Sequence, residues 1–299
     1  MTRKRFLRYW QLYLLLILPM LYLLIFRYIP MIGVQIAFRE FNAVDGMWGS
    51  PWVGITHFTT FFSSPRFLTI VANTAQISVL SMVFGFPAPI VLALFLNEIR
   101  NGIFKLSVQL VTAIPHFIST VVMAGLVLLF LEPKGFIGRQ MHIFGIQDSV
   151  SIMGVADLFK YIYALSDMWQ HMGYNSIIYL AALSGINPEL YEAAKVDGAN
   201  LIKKIIHIDL PGIMPVIIIL FILNTGQILQ VGFEKTYLLQ NNLNLPGSEV
   251  LQTFVYKVGL LNANYSYSTA VDVFNSVVSF AFLVMVNFIV RKYSENSLW

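Results

Sequence analysis

Amides, hydroxyls and one acid stand inside stretches of this chain that are otherwise apolar, and such groups exchange hydrogen bonds with polyhydroxylated molecules. Asn73 and Gln76, three residues apart, share a helical face near the start of the stretch 68–96. Trp169, Gln170, Tyr174 and Asn175 fall near the middle of 158–183. Asn224 and Gln227 share a face of 212–231, roughly 20–24 Å beyond its start at ~1.5 Å per residue. Asp272, Asn275, Ser276 and Ser279 form a stripe near the start of 269–290. Polar residues inside apolar spans face a bundle interior or a water-filled path. Equally, they tie helices together by hydrogen bonds worth about 1 kcal/mol each, so each of these residues has two expected uses. Asp272 is read as the only acid well inside a span. His116, beside Pro115, is expected to be a hydrogen-bonding partner, with no second His, Cys or acid at metal-ligand spacing. The chain has no cysteine, which removes thiol nucleophiles, disulfides and thiolate metal sites. No Gly-x4-Gly-Lys-Ser/Thr loop occurs, so ATP phosphates are not cradled in that way.

A second constellation is polar and short: Glu192-Ala193-Ala194-Lys195-Val196-Asp197-Gly198, followed by Ile208-Asp209-Leu210-Pro211. Asn187-Pro188 suits a helix start, with Glu189 in the first turn where the helix dipole favours an acid. Glu189, Glu192 and Lys195 share one face, while Leu190, Ala193 and Ala194 crowd another. Gly198 suits a left-handed C-terminal turn, Asn200 a second cap, and Leu210-Pro211 the end of that second helix. By itself this is a polar helix–turn–helix between two apolar segments.

The elements that must position these residues are membrane spans. The chain is 57% hydrophobic and 11% charged, with a mean hydropathy of +0.71. Charges that sparse cannot solvate a soluble fold of this size. The net charge of +4 gives no case for nucleic acid, because the basic residues cluster at the ends of apolar runs. The reading is an all-α membrane protein whose spans lie at about 12–30, 68–96, 106–131, 158–183, 212–231 and 269–290. Breakers at Gly85, Pro87 and Pro89 require the second span to be enclosed by neighbours or a cavity. Arg3, Lys4, Arg5, Arg8, Arg100, Lys105, Lys195, Lys203, Lys204, Arg291 and Lys292 fall in the proposed cytoplasmic segments. They are denser there than Arg27, Arg39, Arg66, Lys134, Arg139, Lys160, Lys235 and Lys257 are outside, which places both termini in the cytoplasm. Trp10, Tyr13, Trp48, Trp52 and Trp299 suit interfacial anchors.

The spacing Glu-Ala-Ala, three residues, Gly, nine residues, Ile, one residue, Leu-Pro resembles the EAA loop of permease subunits of type I, binding-protein-dependent ABC importers. From about residue 20 onward the chain is similar to the oligosaccharide and polysaccharide branch of that family. Pro30-Met31-Ile32-Gly33, Gly85-Phe86-Pro87, Leu96-Asn97-Glu98-Ile99-Arg100, Pro115-His116-Phe117-Ile118-Ser119, Gly232-Phe233-Glu234, Phe274-Asn275-Ser276-Val277-Val278 and Ser297-Leu298-Trp299 carry the likeness. The resemblance implies a six-helix permease in a bacterial cell membrane, paired with a second, homologous permease subunit. It implies two ATPase subunits below, which hold the ATP and magnesium, and an extracellular substrate-binding lipoprotein that delivers a carbohydrate. In this chain it implies no cofactor and no catalytic residue. Glu192, Ala193, Ala194, Asp197, Gly198, Leu210 and Pro211 would form the ATPase-coupling loop at 187–210. One departure is Asp272, where the family leads one to expect a small residue such as Gly. A stand-alone, ion-coupled secondary transporter is the rival reading; it calls for internal repeats and midplane charges. A membrane-embedded enzyme would need a nucleophile with a base, or a metal-binding acid pair, at membrane depth.

Overall fold

The computed structural model describes residues 9–99, 102–143 and 152–293. The basic residues Arg3, Lys4, Arg5, Arg8 and Arg100 and the terminal Ser297-Leu298-Trp299 lie outside them. Among the described residues the secondary structure is helical, with a single isolated bridge between Arg39 and Trp52. Contacts divide the chain into two units, residues 1–64 with 255–274, and 65–254 with 275–299.

In the first unit the chain is helical from Trp10 to Phe38: an α-helix at Trp10–Leu23 (α1), a π turn at Leu24–Tyr28 and a 3-10 stretch at Ile29–Phe38. The expected end near residue 30 therefore comes too early. Pro30 sits in the first turn of the 3-10 stretch, where its missing N–H costs little. Nearly every side chain of this run is exposed, Ala37 being the buried one, as suits a helix whose surroundings are lipid or another subunit. Beyond it, Arg39 Nη1 donates to the Ser50 carbonyl at 2.8 Å, and Trp52 stacks on Phe38 at 5.5 Å. Phe61, 1% exposed, meets Tyr267 and Phe274 edge-on at 6.3 and 5.6 Å.

The second unit is organised around one long helix. Before it come Phe67–Gly85 (α2), Pro87–Glu98 (α3), Ile103–Ala113 (α4) and Thr120–Leu131 (α5). The expected span 68–96 is one apolar run, Phe67–Glu98, interrupted at Phe86 because Pro87 and Pro89 cannot donate to the ladder of the preceding turn. The expected span 106–131 is likewise interrupted: Ile114–Phe117 tightens to 3-10 at Pro115, and Ser119 Oγ accepts from Val122 N to start α5. Phe159–Ser184 (α6) has 26 residues, about 39 Å at ~1.5 Å per residue. Helices α2, α3 and α4 pack on it. At Gly173 the approach to α4 is so close that a Cβ would stand 2.0 Å from the Thr112 carbonyl oxygen.

Pro188–Val196 (α7) follows, then a helical turn at Leu201–Lys204, a π turn at Ile205–Asp209 and Leu210–Thr225 (α8). This corrects the expectation that Leu210-Pro211 ends one helix before another begins. Pro211 lies in the first turn of α8, and the π turn before it lets the helix run on. Phe233–Leu239 (α9) lies in the segment after α8. Five helical runs are long and apolar enough to cross a membrane: Trp10–Phe38, Phe67–Glu98, Thr120–Gln140, Leu201–Thr225 and Tyr265–Lys292. The remaining expected span, 158–183, is α6, which is long enough but less apolar, since it carries Lys160, Asp167 and His171. Its neighbours shield it: Tyr179 and Leu183 bury against Ile90, Ala93 and Leu94 of α3 and Ile213 of α8.

Candidate functional site

One face of α6 forms a wall. Tyr163, Asp167, His171 and Asn175 recur every fourth residue and line a cavity of about 480 Å³, a size usual for small-molecule sites at ~300–1,000 Å³. Ser78, Ser81 and Gly85 of α2, Phe86, and Pro89 of α3 form another wall; Asn224, Gln227 and Gln230 close the lining from α8 and the turn after it. Of the expected path residues, Asn175, Asn224 and Gln227 are brought together here.

The others have different surroundings. Asn73 Nδ2 donates to the Pro246 carbonyl at 2.8 Å, and Gln76 Oε1 accepts from Lys160 Nζ at 2.8 Å, so both tie α2 to other elements. Gln170 is buried and accepts from Lys235 Nζ at 3.4 Å. Trp169 is exposed and is not among the lining residues. Tyr174 stacks face to face with His116, ring centroids 3.9 Å apart. Asn275 and Ser279 are buried, and Asn275 Oδ1 and Ser279 Oγ have no partner among the described residues. Asp272 is exposed, in the first unit.

Two expectations need correction. Asp272 is not the only acid inside a span, because Asp167 lies well within α6, two turns from its start, and in the cavity wall. Nor does His116 lack a histidine neighbour: its Nδ1 is 2.9 Å from His171 Nδ1, one nitrogen donating and the other accepting. The missed signal was the four-residue repeat 163-167-171-175, which puts two titratable groups on one helical stripe. Asp167 Oδ1 lies 3.4 Å from Lys235 Nζ and 3.7 Å from His171 Nε2. Lys235, on α9 and 4% exposed, is drawn in although its neighbours in sequence suggest only a polar loop. Burial lowers its ammonium from the ordinary lysine value, and the Asp167 carboxylate opposes that shift. Tyr163 Oη accepts from Gly232 N at 3.0 Å, which fixes the segment between α8 and α9 to α6.

The second site is α7 and its flanks. Asn187 Oδ1 accepts from Glu189 N at 3.1 Å, and Asn200 Oδ1 from Lys203 N at 2.9 Å, so both expected caps form. Gly198 has φ +66° and open space where a Cβ would stand, so glycine is needed there for the backbone and not for room. No residue of α7 is buried. Glu192, Ala193 and Lys195 are exposed, Leu190 is 51% exposed and Val196 88%. The apolar face of α7 is therefore left uncovered by this chain. Asp209, part of the second constellation but given no role from sequence, is fully buried.

Residues 85–295 match the family of binding-protein-dependent transport system inner membrane components, and the chain belongs to that family. It is thus an inner-membrane subunit of a transport system, with the helical fold of ABC importer permeases. Over 96% of its length it is 40% identical to protein LplB of Bacillus subtilis (strain 168), covering 91% of that protein. It is 38% identical, over 96% of its length and 90% of the relative, to the polygalacturonan/rhamnogalacturonan transport system permease protein YteP of the same organism. Among solved structures, it is similar to a chain of a bacterial ABC transporter involved in the import of the acidic polysaccharide alginate. There the TM-score is 0.89 at 40% identity, covering 98% of this chain and 99% of the other.

Proposed function

We propose that this chain is one permease subunit of an ATP-driven importer of oligosaccharides, with uronate-containing oligosaccharides as the substrate class. It pairs with a second permease, receives sugar from an extracellular binding protein and is driven by two separate ATPase subunits that hold ATP and magnesium. What carries the reading is the full-length likeness to a transporter of alginate, joined to a cavity of sugar-binding character. YteP, named for another polyuronate, agrees with it. Asn175, Asn224 and Gln227 supply amides for hydroxyls, and His171 adds a ring donor. Asp167, the one carboxylate among the lining residues, is offset by Lys235, so the wall does not repel an anionic sugar. Both termini are cytoplasmic, and α7 with Gly198 docks on the ATPase through its uncovered face.

The test is the purified four-component complex in liposomes, given oligogalacturonate, alginate oligomers or maltopentaose. ATP-dependent uptake of the acidic oligomers above the neutral one is the expected result. Glu192→Lys and Gly198→Val should each leave the complex assembled and cut uptake per ATP hydrolysed. Valine at Gly198 meets no clash, but its left-handed backbone costs about 1–3 kcal/mol. Ion-driven uptake by this chain alone would establish the secondary-transporter reading instead.

A further inference from the structure

Beneath the cavity, where α7 meets the ends of α3 and α8, four polar side chains from three segments close on one another. Tyr191 Oη of α7 donates to Asp209 Oδ1 at 2.6 Å. Lys204 pairs with Glu98 at the end of α3 and places its ammonium 5.7 Å from the Tyr191 ring centroid. Asn97 is a further hydrogen-bonding neighbour of Tyr191. Burial, and then the bond to Asp209, push the Tyr191 phenol above its ordinary value, so it is a donor at any physiological pH. Asp209 is fully buried, and neither its Oδ2 nor Glu98 Oε1 has a partner among the described residues. Two carboxylates against one ammonium make the cluster depend on each contact that it has. A buried acid with an empty oxygen is costly, and an apolar residue would serve packing better.

We propose that Tyr191, Asp209, Lys204 and Glu98 form a clamp that transmits movement of the coupling helix to the cavity wall; this rests on the reading that α7 docks on the ATPase. Helix α7 has no buried residue, so packing does not hold it to the other helices. Its ties are the backbone, through residues 185–187 to α6 and through Gly198 to α8, and the side chain of Tyr191. The clamp adds a second route, into α3. That helix runs about 18 Å from Glu98 back to Pro87, at ~1.5 Å per residue, and its Pro89 lines the cavity with Phe86. The break at Gly85-Phe86-Pro87 lets α3 tilt without α2. Force on α7 thus reaches the wall as rotation of α3 about that break, with the four residues acting as positioning residues.

The chain has no cysteine, so Val196→Cys and Phe95→Cys, both at exposed positions, take spin labels uniquely in a complex whose other subunits are cysteine-free variants. In the clamped protein the distance between these labels should be narrow and should stay the same with and without vanadate-trapped nucleotide. Tyr191→Phe, which removes one hydroxyl from a half-buried ring, should widen that distribution. It should also lower acidic-oligomer uptake per ATP by about threefold or more, the scale of one lost hydrogen bond. Glu98→Gln should do the same, and the exchange Glu98→Lys with Lys204→Glu should restore both readings. An unchanged distribution, or a widened one with uptake per ATP intact, overturns the clamp. If Glu192→Lys leaves uptake per ATP unchanged, the docking reading itself fails; if Glu192→Lys uncouples and Tyr191→Phe does not, only the clamp does.

Discussion

Helix α6 holds most of its polar groups against partners far away in sequence, whereas α7, the next helix in the chain, keeps its surface open and makes mainly local bonds. Along α6, Asp167 meets Lys235, His171 meets His116, Tyr163 meets Gly232, and Gly173 lies against the α4 backbone. Along α7 the bonds are the Asn187 cap, the Gly198 turn and the single reach of Tyr191. The first helix is defined by what packs on it, the second by what its own sequence dictates. Substitutions in α6 should accordingly be read out as assembly, and those in α7 as coupling.

The two glycines sharpen this contrast, and the largest effect is expected at Gly173. A Cβ there would stand 2.0 Å from Thr112 O and 2.6 Å from Ala113 N, both backbone atoms that cannot rotate away. Gly173→Ala must therefore push α4 off α6, at a cost of about 1–3 kcal/mol or more. The expected outcome is a marked fall in the amount of assembled permease in membranes, seen by blotting. Normal amounts would mean that α4 yields easily, and the division between packed and open helices would lose its clearest support.

The same contrast explains what could be read from the sequence. The loop was legible because caps, a left-handed glycine and the facing of Glu189, Glu192 and Lys195 are local properties. Apolar runs long enough to cross a membrane were legible for the same reason, though their bounds were not. Not legible were the breaks in the second and third spans as breaks: Pro87 and Pro115 announce an interruption, but neighbours decide whether the helix bends or stops. The cavity was half legible. Asn175, Asn224 and Gln227 line it, while Asn73 and Gln76, equally polar, bond to Pro246 and Lys160 outside its lining. Asp167 was overlooked beside its aromatic neighbours, and Lys235 looks like a loop lysine until α9 folds against α6. Polarity inside a span marks a residue with a purpose; only packing tells which purpose.

An intermediate effect is expected at that ion pair. Lys235 is 4% exposed and Asp167 31%, so the carboxylate is partly open to the cavity and the pair is only half desolvated. Breaking a fully buried pair costs about 3–5 kcal/mol; here Lys235→Met should cost less, about 1–3 kcal/mol, with a matching loss of thermal stability in detergent. Lys235→Met combined with Asp167→Asn should recover most of that loss, because no uncompensated carboxylate remains. If the double variant is no better than the single, Lys235 holds α9 by packing along its stem and not by charge.

The smallest effect on assembly is expected at Asp272, which tests the comparison where it is weakest. It sits in a long helix, like the residues of α6, yet it is exposed, like those of α7. Among the described residues it has neither an ion-pair partner nor a hydrogen bond. Nearby on the same helix Ala270, Val271 and Asn275 are buried, so packing there does not depend on the carboxylate. Asp272 is exposed near the start of its helix, away from mid-membrane where an ionised acid costs roughly 2.5–3.5 kcal/mol, and Asp272→Asn keeps the shape. Assembled complex should therefore stay within about 0.5 kcal/mol of the parent in stability, as for surface substitutions. A changed uptake rate or sugar preference at unaltered assembly would place Asp272 on the path of the substrate. A fall in assembly, repaired by exchanging charge with a lysine or arginine of the partner permease, would make it an intersubunit pair. Exposure in this chain would then mark a surface awaiting another subunit, as proposed for α7.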